Sequence, residues 1–72
     1  MPVTKQNVNE VFQYHAPTEE DVKKYERMRD AAKHFASEIL ECATGADQQA
    51  AIRLVREALM TANASVATKG AV

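Results

Sequence analysis

Two apolar stripes of helical period, joined by a single short glycine-bearing link, most constrain the fold of this chain. Val22, Tyr25, Met28 or Arg29, Ala32, Phe35 or Ala36, and Ile39 recur at steps of three and four, so one face of a helix there is apolar. Ile52, Val55, Leu59, Ala62 and Val66 repeat the pattern, and Ala51, Leu54, Ala58 and Met60 widen it beyond one seam. The 72 residues hold only two Gly and two Pro, too few turns for a sandwich or barrel. The fold class that follows is all-α: an antiparallel helical hairpin with a short N-terminal arm or helix.

The ends of the helices carry their own signals. Thr18 is placed to accept from an unpaired first-turn N–H, Asp21 sits where a capping-box acid belongs, and Glu19, Glu20 and Asp21 suit the positive end of the helix dipole. Glu19 with Lys23, Glu20 with Lys24, and Arg53 with Glu57 are four-residue pairs. The first helix is expected over about 18–42, with Gly45 as the left-handed cap that ends it. Asp47 is expected to cap a second helix from Gln48 to about Ala67 (48–67), after which Thr68-Lys69-Gly70-Ala71-Val72 should fray. The domain reading is therefore an aromatic arm (1–17), a hairpin domain (18–69) and a frayed tail (70–72).

Two helices that share one seam hide too little apolar surface to offset the entropy of ordering them. The width of both apolar faces meets that need only against other copies, so a homo-oligomer is expected. A lone hairpin would be marginal.

Composition narrows the function. The formal charge is -1 with a pI near 6.1, which removes a basic footprint for long nucleic acid but leaves small anionic ligands open. The single Cys42 excludes an internal disulfide and a cysteine-cluster zinc site, and reads as a packing residue. No apolar run reaches the length of a membrane span, and Met1-Pro2-Val3-Thr4-Lys5 does not read as a signal peptide. His34 has only Asp30 and Glu38 near it at helical spacing, a poor metal set, and no nucleophile motif or phosphate loop is present. An enzyme is not expected, and no cofactor is implied.

The arm is more informative. Phe12, Tyr14 and His15 precede a helix bearing Lys23, Lys24, Arg27, Arg29 and Lys33. Flat rings and cationic donors are what a nucleobase–phosphate ligand needs, although the same rings could simply pack back over the hairpin. Arg29 can be counted on the apolar stripe, where it either snorkels out or faces an anion at an interface, and Lys33 lies one turn on. Near the end of the second helix, small residues around Asn63 permit close helix approach.

Phe12-Gln13-Tyr14-His15-Ala16-Pro17-Thr18, Lys24-Tyr25, Arg29-Asp30-Ala31-Ala32-Lys33 and Ala58-Leu59-Met60-Thr61-Ala62-Asn63-Ala64-Ser65-Val66-Ala67 together resemble the phage anti-CBASS sponges of the second type, whose hairpin is shared with a class of anti-Thoeris sponges. The resemblance spans about residues 11–68. It implies a homohexamer in the host bacterial cytoplasm that sequesters cyclic dinucleotides such as cyclic GMP–AMP without degrading them. By motif, base stacking falls on Tyr14 and phosphate binding on Arg29, with Lys33 as a substitute, and Phe12 and His15 complete the aromatic string. Some members also bind cyclic trinucleotides at a separate three-fold site. Its counterpart here comprises Asn63, Thr68 and Lys69, with Thr68 where those members carry an arginine and Thr61 where a tryptophan is common. The rival reading is a small helical adaptor or structural oligomer that docks a protein partner on its apolar faces.

Overall fold

Thr18 opens the first long helix by the expected route. Its Oγ1 accepts the Asp21 N–H at 3.1 Å while the Asp21 carboxylate accepts the Thr18 N–H at 3.1 Å, a complete capping box. The computed structural model describes residues 2–71, and among them the chain is all-helical: α1 (Val8–Val11), α2 (Glu19–Cys42) and α3 (Gly45–Ala67). α2 and α3 pack against each other as a hairpin, while α1 packs on neither.

The seam differs from the expected stripe by about one position at its start. On α2 the more buried residues are Asp21, Tyr25, Met28, Ala32, Ala36 and Ile39, so Met28 and Ala36 face α3, while Arg29 and Phe35 point outward. Val22 is exposed for the same reason. On α3 the stripe Ile52, Val55, Leu59, Ala62 and Val66 is at least half-buried throughout.

The connection is tighter than expected. α2 ends at Cys42, with Ala43 extended and its N–H donating to Ile39 O. Gly45 does adopt a left-handed φ of +74°, but it turns the chain into α3 rather than ending α2. The N-cap of α3 is Thr44, which makes no side-chain cap bond, and Asp47 lies within the first turn instead of capping it. Gln48 takes over part of the capping: its Nε2 donates to Ala43 O at 2.7 Å and reaches Leu40 O at 3.4 Å, meeting carbonyls that the end of α2 leaves open. Cys42, read from the sequence as a packing residue, is exposed beside this turn.

Of the tail expected to fray, Thr68 to Ala71 are held by hydrogen bonds. Thr68 is buried, its hydroxyl donating to Ala64 O at 3.0 Å. Lys69 N–H donates to Val66 O and Gly70 N–H to Ser65 O, the two bonds of a Schellman motif, and Ala71 N–H reaches Thr68 O. Val72 lies outside the described residues. The left-handed position of that motif normally belongs to glycine, yet here it is Lys69, at φ 57°. That backbone carries its ammonium to Asp21 across the open end of the hairpin, with Nζ 2.8 and 2.9 Å from the two carboxylate oxygens. It is the one ion pair among the described residues, and the expected pairs Glu19–Lys23, Glu20–Lys24 and Arg53–Glu57 do not close.

Little of this is a core. Ile39 is the sole buried apolar residue among those described, itself still 9% exposed, and the radius of gyration is 15.0 Å. A compact chain of this length would have about 11 Å. The hairpin is a slender object that leaves Val22, Phe35, Leu40, Leu54 and Met60 exposed.

Candidate functional site

The arm is built as a small self-contained turn. Thr4 N–H donates to Asn7 Oδ1 at 2.7 Å, Asn7 Nδ2 donates to Pro2 O, and Asn7 N–H returns to Thr4 O, which launches the single turn of α1. Phe12 caps that turn, and Pro17, unable to donate, keeps the segment before α2 extended. The His15 ring folds back so that Nε2 lies 2.7 Å from Glu10 O. A carbonyl only accepts, so Nε2 carries the proton, and His15 serves as a brace within the arm.

Bracing the arm leaves its aromatic rings uncovered. Phe12 is 80% and Tyr14 82% exposed, so neither packs back over the hairpin. Arg29 and Lys33 stand one turn apart on the exposed side of α2, and neither forms an ion pair among the described residues. No hydrogen bond joins them to the arm. The five residues expected to hold a cyclic dinucleotide are thus all presented to solvent except the half-buried His15, and one chain does not gather them into an enclosed pocket.

The residues expected at a second site are engaged within the chain. The Thr68 hydroxyl is held by Ala64 O and the Lys69 ammonium by Asp21. Lys69 holds the Asp21 carboxyl at about 2, below its ordinary value, chiefly by its hydrogen bond and secondarily aided by the Thr18 backbone N–H. Asn63 is different: its Oδ1 is buried and has no hydrogen-bond partner. An acceptor left in that state costs about 1–3 kcal/mol, so it marks a place where a donor from outside the chain would be favourable.

Two depressions flank the seam. The larger is an apolar trough of ≈ 540 Å³ whose walls include Met28, Phe35, Ile39, Leu54, Val55 and Leu59. Phe35 and Leu54 on its rim are 59% and 63% exposed. The smaller, ≈ 390 Å³, is edged by Lys24 and Arg27 over Met28, Ala31 and Val66. No three His, Cys, Asp or Glu side chains among the described residues come together to hold a metal ion. No helix among them is long and apolar enough to cross a membrane.

The paired helices, the arm before them and the small-residue end of α3 fall within one family description. The model for the Acb2/Tad1 hairpin domain matches residues 4–67. The chain belongs to that family. Acb2/Tad1 membership places it with the anti-CBASS and anti-Thoeris sponge family. No curated protein and no solved structure matches the chain.

Sequence reasoning did not connect Asp21 with Lys69, and it had no means of showing that Asn63 Oδ1 is unpartnered. The first could have been found by placing both ends of an antiparallel hairpin side by side, where a first-turn acid and a lysine beyond the last turn must meet.

Proposed function

We propose that this protein is a stoichiometric sponge for cyclic dinucleotides such as cyclic GMP–AMP, holding the intact ligand in a pocket that copies of the chain build together. The observation that carries the reading is the exposure of Phe12 and Tyr14 on a braced arm, with nothing of their own chain laid on either ring. A flat ring held ready in water is a stacking surface, worth about 1–3 kcal/mol per base. Arg29 and Lys33 supply unpaired cations for the phosphodiesters, the charge-assisted bonds that fix such a ligand.

The trough supports the assembly. A chain with one buried apolar residue among those described and an apolar groove of ≈ 540 Å³ would gain stability by covering that groove with another copy, and the family reading makes the assembly a homohexamer. The orphaned acceptor of Asn63 fits the same picture, as a group satisfied across a subunit boundary or by a ligand. Acting as a sponge, the protein would work in the host bacterial cytoplasm, where removal of the signal keeps the effector unactivated. Thr68 and Lys69 have their polar groups engaged internally, so a cyclic trinucleotide at the second site would have to displace Asp21 from Lys69.

The trough also supports a second reading, an adaptor that docks a different protein on its apolar face. Calorimetry against a panel of cyclic di- and trinucleotides, joined to native mass measurement, separates the two. The sponge reading expects saturable binding, recovery of unchanged ligand after denaturation, and a homo-oligomer in the absence of other proteins. A monomer with no affinity for any member of the panel removes it, and release of linear product makes the protein a nuclease.

A further inference from the structure

Every hydrogen bond made by residues 2–17 among those described stays inside that stretch, and α1 packs on neither long helix. The arm is therefore joined to the hairpin by no hydrogen bond, and α1 itself rests on neither long helix. Pro17 has its φ fixed by its ring, so the arm's direction depends on the few dihedrals around it, Thr18 included. Thr18 is extended, at φ -82° and ψ 171°, and what holds it there is the capping box with Asp21.

That box has a third member. The Asp21 oxygen that accepts the Thr18 N–H at 3.1 Å also accepts Lys69 Nζ at 2.9 Å, and the other oxygen has Lys69 as its hydrogen-bond donor, at 2.8 Å. The Asp21 side chain is only 5% exposed. Without the ammonium, one carboxylate oxygen would be left as a buried, unpaired charge. Rotation of the carboxylate into water relieves that cost, and the same rotation takes the other oxygen off the Thr18 N–H. The backbone of Lys69 is itself held in a region that disfavours side chains, which a non-glycine residue occupies only where something holds it there.

We propose that the Asp21–Lys69 ion pair is the anchor that sets the direction of the aromatic arm, so that Lys69 acts on ligand binding through Asp21 and Thr18 without touching the ligand. This rests on the sponge reading for its effect on affinity, but not for its effect on the arm. Lys69 is a positioning residue, 48 positions from its partner and outside the arm altogether.

Tyrosine emission tests it, because Tyr14 and Tyr25 are the only two tyrosines and the chain has no tryptophan. In a Tyr25→Phe background Tyr14 reports alone. Lys69→Met should lower Tyr14 fluorescence anisotropy at unchanged helicity, and Lys69→Arg should restore it. Affinity for cyclic GMP–AMP should weaken about tenfold in Lys69→Met, the order expected when a binding segment must be ordered on association. Equal anisotropy in all three proteins overturns the proposal. So does a loss of affinity without a change in anisotropy, which would put Lys69 on the ligand itself. If Lys69→Met loses helicity, Lys69→Gly replaces it, since glycine suits the left-handed backbone there and still removes the ammonium. Tyr14 anisotropy should again fall, and an unchanged value overturns the proposal. Lowered anisotropy in the variants of a protein that binds no cyclic dinucleotide would leave the anchor standing and remove the sponge.

Discussion

The side-chain amide of Gln48 donates to the carbonyl of Ala43 at 2.7 Å, so the first turn of α3 closes the last turn of α2 across a link of only two residues. An interhelical turn this short would otherwise leave the final carbonyls of α2 facing one another with water as their only partner.

Gln48→Ala should therefore lower the free energy of unfolding by about 1 kcal/mol, the usual contribution of one such hydrogen bond. Gln48→Glu should cost more, because its carboxylate would face the negative end of the α2 dipole. Urea unfolding of the three proteins gives the order directly, and equal midpoints would mean that Gln48 is replaced by solvent without loss.

The Asp21–Lys69 pair makes the fold sensitive to acid. The Asp21 carboxyl titrates at about 2 in the folded chain, against about 3.9 for an ordinary aspartate. A carboxyl lowered on folding stabilises the native state fully above its unfolded value, and that contribution is lost as the pH falls through the folded one. Helicity should hold down to roughly pH 4 and then decline toward about 2. Acid titration followed by circular dichroism should show this step in the wild type and a flatter curve in Lys69→Met.

Leu54 stands on the rim of the apolar trough at 63% exposure, so a charge there costs the single hairpin almost nothing. In an assembly that buries the trough, the same charge would be desolvated. Leu54→Glu should leave the helical content of the chain intact while sedimentation velocity shifts toward the monomer. An unchanged sedimentation coefficient would exclude this face from the interface.

Tyr14→Ala should weaken cyclic dinucleotide binding by about 1–3 kcal/mol through lost stacking. Arg29→Ala should weaken it by about 1.5–3 kcal/mol through a lost charge-assisted bond, with the oligomer intact because Arg29 does not line the apolar trough. Calorimetry with cyclic GMP–AMP measures both. Dissociation of the Arg29→Ala assembly would assign that residue to packing.

The parts of the structure legible from sequence were those whose cause is local. The capping box of Thr18 and Asp21 lies within four residues, and the α3 stripe from Ile52 to Val66 admits one phase. The α2 stripe admits two, because Met28 and Arg29, like Ala36 and Phe35, satisfy the same three- and four-residue steps until a partner helix selects between them. Gly45 was readable as a left-handed residue, but the same φ can finish one helix or open the next, and the brevity of the turn decides for the second. Lys69 was legible only as a cation in a tail expected to fray, since its partner lies at the far end of the other helix. Of the candidate site, the uncovered rings of Phe12 and Tyr14 have a local cause in Pro17 and the His15 brace, whereas in the proposed pocket their neighbours would come from another copy.

The separateness of the arm has a consequence for substitution. Since residues 2–17 share no hydrogen bond with the rods behind them, substitutions in the arm need not disturb how the rods pair. Under the proposed sponge function, changes in the arm would alter how bases are stacked while Arg29 and Lys33 keep their places on α2.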